Sequence, residues 1–408
     1  MKLIQQDRDG TVVHVLLSGD EEIGYVAVDT TIDGRSCGGL RMLPDVDAAE
    51  MACLARSMTL KYGFLGLAQG GAKAGVRGDP EAPASGRYAR LAQFGAGIAE
   101  LLRSRAYVPH PDMGTCAQDI AFMLRSLGLR PGKRALGDHD SGYYTAVSVA
   151  AGAQAALRYL GLSPSECCAA IEGFGKVGRP LARFLVESGI RVVAVSTRQG
   201  AIYNPNGLDV SRLIELSARL GSALVDGYPE ADRISQAELL ELPVELLCPC
   251  ARHHSIHEGN VSRLKCAVVG PGANNPITPA AEQTLAAVGV RCVPDFVSNC
   301  GGVLGGTMEF AGMLHGRIME MIQDGTERAV TDLLTEAPRR GLSLRALAER
   351  LARSRFEAAK HAAENPAAAA RLLGAGLTLY RSALIPSSIV GRIAPFYFQR
   401  LPFFSAAD

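Results

Sequence analysis

Residues 167–197 read CCAAIEGFGKVGRPLARFLVESGIRVVAVST. An apolar run, a glycine-rich turn, an amphipathic stretch and a second apolar run follow one another, the order of strand, turn, helix and strand. Gly173, Gly175 and Gly178 fit G-x-G-x-x-G, with Phe174, Lys176 and Val177 between them. The first glycine permits the tight turn, the second lets a pyrophosphate approach the backbone, and the third lets the helix lie close to the strand. The helix N-terminus then faces the phosphates. A glycine turn without a ligand is the alternative, and the strand–helix context weighs against it. The stretch predicts a dinucleotide site for NADP or NAD.

An acidic residue about 20 positions on would hold the ribose 2′-hydroxyl of NAD. The second strand instead ends in Ser196, Thr197 and Arg198. With no carboxylate to repel a 2′-phosphate, two hydroxyls and a guanidinium are offered to it. The expected preference is NADP over NAD. If Arg198 is merely solvated, both are accepted.

Strand-like runs recur at 245–248, 266–270 and 291–294, alternating with helical stretches. That alternation predicts an α/β chain with a parallel, doubly wound Rossmann sheet. The whole is too long for one core, so two domains are expected. We place an N-terminal α/β substrate and oligomerisation domain at 1–135 and the dinucleotide domain at 136–330. Helices at 331–408 are expected to return to the first domain.

Within the N-terminal part, residues 10–33 alternate like strands, Gly38–Gly39 reads as a turn, and 66–80 reads as a glycine-rich loop. Met51, Leu54, Ala55 and Met58 make a helical stripe capped by Asp47 and ending near residues 61–63. Residues 86–105 and 142–160 read as helices, and 357–374 as an alanine-rich one. The apolar tail at 383–404 is expected to be docked.

The chain is 48% hydrophobic and 20% charged with net charge +1. No apolar run reaches membrane-spanning length, and no secretory signal opens the chain, so a cytoplasmic location is expected with no membrane partner. No basic cluster suggests nucleic acid. The cysteines lack C-x₂-C spacing, so no metal is expected.

Lys61, Lys73 and Asp112 are the candidates for chemistry. Each has a plain alternative: a helix-end charge for Lys61, a solvated loop position for Lys73, and an Asx turn before Gly114 for Asp112. Together they stand in a run of motifs. Gly38-Gly39-Leu40-Arg41, Met58-Thr59-x-Lys61, Gly70-Gly71-Ala72-Lys73 and Pro111-Asp112-x-Gly114-Thr115 come first. Ile202-Tyr203-Asn204-Pro205, Gly272-Ala273-Asn274-Asn275-Pro276 and Pro294-Asp295 through Asn299 to Val303 follow. In that order they resemble the glutamate/leucine/phenylalanine/valine dehydrogenase family.

The resemblance implies a reversible NAD(P)-dependent deamination of an L-amino acid to a 2-oxo acid and ammonia, by a homo-oligomer. It implies that Lys61 holds the substrate carboxylate, that Lys73 is the base with a lowered pKa, and that Asp112 shuttles protons. Carbonyls near Gly38, Gly39 and Asn299 would hold the amino group. Thr145 would hold the nicotinamide amide, and Asn274 and Asn299 would contact the cofactor. Closing a cleft between the domains would exclude water. The chain departs from glutamate-specific members at Cys37, where they carry a lysine, and at Gly306, where they carry a serine. Val303 lines the same pocket. A distal carboxylate without partners costs several kcal/mol, so a neutral aliphatic or aromatic substrate is expected. The alternatives are a non-catalytic nucleotide- or metabolite-binding relative, and a reductase of an unusual oxo acid or cyclic imine.

Overall fold

A computed structural model describes residues 1–130, 140–365, 376 and 379–405. The chain divides into two compact units: Met1–His139 with Phe310–Met313 and Glu349–Ser405, and Asp140–Glu309 with Leu314–Ala348. The boundary expected at 135 lies outside the described residues.

The first unit is built on a six-stranded mixed sheet of order β1-β2-β3-β5-β4-β6. The strands are β1 (Lys2–Arg8), β2 (Thr11–Ser18), β3 (Glu21–Val28), β4 (Ser36–Leu43), β5 (Gly70–Arg77) and β6 (Val108–Pro111). Helix α1 (Ala48–Leu65) covers one face; α2 (Ala84–Gly97) and α4 (Ala117–Ser126) cover the other, with short α3 (Ala99–Arg103) after a break at Ile98. The Asp47 carboxylate accepts the Glu50 N–H and starts α1, as expected. Gly66, at φ +74°, ends it.

Two expectations fail here. The Gly38–Gly39 turn and the 66–80 loop are the neighbouring, parallel strands β4 and β5. Glycine is used in them for close approach rather than for turning. A Cβ on Gly38 would overlap the Ala72 carbonyl, and one on Gly71 would overlap the backbone of α1 at Ala55 and Thr59. Side chains at those places would push helix and strands apart.

The second unit carries a seven-stranded sheet of order β10-β9-β8-β7-β11-β12-β13. Strands β7 (Cys168–Glu172), β8 (Arg191–Thr197), β11 (Leu246–Pro249), β12 (Val268–Val269) and β13 (Arg291–Cys292) run parallel. Strands β9 (Gly200–Tyr203) and β10 (Asp232–Ile234) form an antiparallel edge. The helices of this unit are α5 (Ser141–Tyr159), α6 (Gly178–Glu187), α7 (Val210–Leu220), α8 (Gln236–Leu240), α9 (Pro279–Ala287), α10 (Asp295–Ser298), α11 (Gly301–Phe310) and α12 (His315–Arg339). The parallel core is the doubly wound arrangement that the alternating pattern predicts.

Helix α12 lies along α5, because Gly152 of α5 leaves room for Val330 and Thr326. Residues 331–348 therefore belong with the second unit, a correction to the expected return at 331. The chain joins the first unit from Glu349, midway along α13 (Leu344–Glu364). Residues 366–375 of the alanine-rich stretch lie outside the described residues. In the tail, helix Ser387–Phe398 and the turn after it bury Ala394, Phe398, Leu401 and Phe403, with Phe403 edge-on to Phe64 of α1. Ile389, Ile393 and Phe396 stay exposed. No described helix is long and apolar enough to cross a membrane.

Candidate active site

The α1-facing side of the first sheet collects charged residues that strands seldom bury. The pairing of Cys37 with Gly71 and Val108, and of Gly39 with His110, fixes the alternation. Cys37, Gly39, Lys73, His110 and Asp112 thus stand on one face. Gly39 leaves space for a carboxylate: a Cβ there would come within 2.6 Å of Asp112 Oδ2.

Lys73 Nζ donates to Asp112 Oδ2. Arg41 completes the cluster, 3.7 Å from Asp112 and 2.5 Å from Glu50. Lys73 is only 3% exposed. Burial lowers its pKa from the ordinary lysine value; the Asp112 charge opposes this and the Arg41 charge adds to it. Burial pushes the Asp112 carboxyl up, but Lys73 and Arg41 outweigh it and hold it well below the usual carboxylate range. The result is an ionised acid beside an amine that gives up its proton more readily than lysine in water.

The loop after β6 holds Asp112 rigidly. Its N–H donates to Thr115 Oγ1 at 3.0 Å, and Thr115 donates to the Leu40 carbonyl at 2.7 Å. Asp112 Oδ1 also accepts the Met113 N–H at 2.6 Å. The Asx-type turn and the charged cluster are thus both present in one residue. Lys61 is buried at 5% exposure and lies outside the last turn of α1, so the helix-end alternative does not apply. Gly38 accepts at its carbonyl from the Tyr107 hydroxyl, 3.2 Å away.

In the second unit the fingerprint loop has the predicted form. Gly173 sits at φ +94°, a Cβ on Gly178 would overlap the Gly173 carbonyl, and a Cβ on Gly175 would meet nothing within 4 Å. Phe174 is buried, Lys176 exposed and Val177 half-buried, just before α6. Ser196 has a role that the sequence did not suggest: its buried hydroxyl accepts the Gly173 N–H at 2.9 Å and so braces the loop. The Thr197 hydroxyl gives its single hydrogen to the Ser222 carbonyl at 2.8 Å, leaving none for a 2′-phosphate.

Asn299 Nδ2 donates to the Ala273 carbonyl at 2.9 Å and to Asn274 Oδ1 at 3.0 Å, while its Oδ1 is buried without a hydrogen-bond partner. An orphaned acceptor of this kind fits the amide N–H of a nicotinamide. Thr145 Oγ1 donates to the Ser141 carbonyl at 2.7 Å and keeps its lone pairs; Gly302 leaves it room, since a Cβ there would come within 2.5 Å of it. Val303 is half-buried, and Gly306 faces open space. The residues present fit a dinucleotide.

Sequence reading missed several groups. Arg41 and Glu50 were motif and cap residues without a role, although an arginine inside a strand next to glycines is an anomaly that calls for a partner. Glu172, just ahead of the fingerprint, is nearly buried; burial pushes it up to about 7, against a hydrogen bond from Ser255. Asp295 accepts the Asn275 N–H at 3.0 Å and the Arg345 guanidinium at 2.9 Å, so it braces the 272–276 loop. Tyr144, beside Thr145, donates to Glu309 at 2.7 Å and meets His315 Nδ1 at 2.9 Å.

Comparison with known proteins agrees with this geometry. The sequence model of the Glutamate/Leucine/Phenylalanine/Valine dehydrogenase family matches residues 137–363, and that of its dimerisation domain matches 13–128. The chain is 36% identical to a glutamate dehydrogenase of Thermotoga maritima over 69% of its own length and 70% of that protein. It is 32% identical, over 69% and 70%, to an NAD-specific glutamate dehydrogenase of Staphylococcus aureus. Among solved structures, the hetero-hexameric glutamate dehydrogenase of Thermus thermophilus, leucine-bound, superposes with TM-score 0.72 at 26% identity, covering 88% of each chain. The L-tryptophan dehydrogenase of Nostoc punctiforme shares the fold at TM-score 0.59 and 22% identity, covering 86% of this chain and 97% of that one. The chain belongs to the glutamate/leucine/phenylalanine/valine dehydrogenase family and is an oxidoreductase acting on the CH–NH2 group of an amino acid.

Proposed function

We propose that the protein catalyses the reversible, NAD(P)-dependent oxidative deamination of a neutral L-amino acid to its 2-oxo acid and ammonia. The buried Lys73–Asp112 pair beside Arg41 is the observation that carries this reading. Bound nicotinamide supplies the hydride acceptor. Lys61 holds the substrate carboxylate, and the Gly38 carbonyl orients the amine. Neutral Lys73 takes the proton from the water that adds to the iminium carbon, and Asp112 passes protons to and from the substrate nitrogen. Thr145 and Asn299 hold the carboxamide, with Asn274 steadying Asn299.

A neutral substrate is favoured by Cys37 in place of an ammonium group and by the open space at Gly306. NADP is favoured by Arg198 at the end of β8, where no carboxylate stands. A homo-oligomer is favoured by the match to a dimerisation domain. The test is oxidation of NADPH and NADH, in parallel, with ammonia and a panel of branched, straight-chain and aromatic 2-oxo acids. Because relatives are named for glutamate, 2-oxoglutarate is the essential control. Faster turnover of a neutral oxo acid with NADPH is expected; a preference for 2-oxoglutarate would overturn the pocket reading.

A further inference from the structure

We propose that Arg345 of α13 is a positioning residue for the cofactor: acting through Asp295, it fixes where the Asn299 side-chain oxygen points and so tightens the grip on the nicotinamide carboxamide. This rests on the reading above that Asn299 holds the carboxamide, and deepens it.

Asn299 has its side-chain NH2 already engaged. Nδ2 donates to the Ala273 carbonyl at 2.9 Å and to Asn274 Oδ1 at 3.0 Å, and Oδ1 is buried without a hydrogen-bond partner. Both neighbours are acceptors, so turning the amide over would set oxygen against oxygen. The direction of Oδ1 is therefore set by the backbone at 273–274, and whatever fixes that backbone fixes the acceptor.

Asp295, at the start of α10, fixes it from two directions. Its backbone carbonyl accepts the Asn299 N–H at 2.8 Å, and its Oδ2 accepts the Asn275 N–H at 3.0 Å. One residue thus holds both the residue that carries the acceptor and the loop that aims it. Asn275 stands at φ +47°, a left-handed conformation that asparagine tolerates and that a bond to its N–H helps to keep.

Arg345 holds Asp295 in turn. Its Nη2 donates to Asp295 Oδ1 at 2.9 Å, its Nε donates to Glu282 of α9, and its guanidinium lies 5.8 Å from the centre of the Phe296 ring. The Asp295 carboxylate is fully buried. With one oxygen given to the arginine and the other to the loop, it cannot rotate without losing a charge-assisted bond. Loss of Arg345 would strand a buried charge, and the carboxylate would turn to other donors and release Asn275. A lysine keeps the charge, but a single ammonium cannot reproduce the planar fork that reaches Glu282 and Asp295 together.

The experiment measures, by calorimetry, the binding of NADPH (or of NADH, should that bind more tightly) and of its 3-acetylpyridine analogue, in which a methyl group replaces the carboxamide NH2. The analogue offers Asn299 Oδ1 no N–H, so the native protein should bind the carboxamide form about tenfold more tightly or more. Arg345→Met should bring that ratio toward one by weakening the carboxamide form alone, and should not change the ratio further when added to Asn299→Ala. Arg345→Lys, which keeps a cation beside Asp295 and so protects the fold, should lower the ratio severalfold. A purely structural role would weaken both dinucleotides alike. Equal weakening or an unchanged ratio in Arg345→Lys would overturn the inference, and a native protein that does not distinguish the two would overturn the role of Asn299 and this inference with it. Binding needs no turnover, so the 2-oxo acid panel decides the deamination reading separately.

Discussion

On the proposed deamination mechanism, Lys73 and Asp112 act as a unit whose protonation sets the rate. The base form of Lys73 is the neutral amine, so activity should climb as pH rises through the Lys73 pKa. Because burial and Arg41 lower that value, the climb should lie below the ordinary lysine range. Asp112 opposes the shift, so Asp112→Asn should move the climb to still lower pH while reducing kcat. Lys73→Ala should cost about a thousandfold or more in kcat/KM with cofactor binding retained by fluorescence; an active Lys73→Ala protein would remove Lys73 from the mechanism. Glu172 offers a different readout. Its folded pKa is raised to about 7 from 4.5, so its stabilising proton is held at low pH and lost as pH rises through about 7. Glu172→Gln should therefore be the more stable protein at pH 8, by about 3 kcal/mol, and the gap should narrow toward pH 5. Urea midpoints at the two pH values measure this. A gap independent of pH would place the ionisation elsewhere.

At the scale of elements, glycine decides how the first sheet meets α1. Gly38→Ala should separate β4 from β5 at Ala72 and cost about 2–4 kcal/mol, read as a fall in melting temperature; an unchanged value would mean that the strands can part freely. This explains why legibility was uneven. The stretch around Gly173 was readable because an apolar strand and an amphipathic helix flank it. Composition around Gly38 and Gly71 pointed to turns, since the need for bare backbone arises from the helix above and not from neighbours in sequence. Ser196 shows the same limit. Its place at the strand end was legible, but its inward bond to Gly173 depends on two segments meeting. Lys73 and Asp112 could be singled out by resemblance, whereas Arg41 and Glu50 gained each other as partners only where β4 meets α1.

At the scale of the whole chain, the first unit is assembled from widely separated segments. Arg355 of α13 donates to the Phe64 carbonyl at 2.8 Å, and Pro402 closes over Gly66. A chain ending at Pro386 would lose the buried Phe398, Leu401 and Phe403, on the order of 5 kcal/mol at 1.5–3 kcal/mol each. Its first unit should melt earlier and be cut sooner by protease, while the second still binds NAD(P)H; equal melting would show that the tail adds nothing.

The join between Phe64 and Phe403 also sets an order of events during synthesis. At roughly 5–20 residues per second, α1 leaves the ribosome tens of seconds before the segment that covers it. In that interval the Phe64 side of α1 waits without its cover, while every segment of the nucleotide-binding unit up to Ala348 is made. The part of the protein that is translated first is therefore the last to be finished, and a newborn chain would be able to hold cofactor before it could hold substrate.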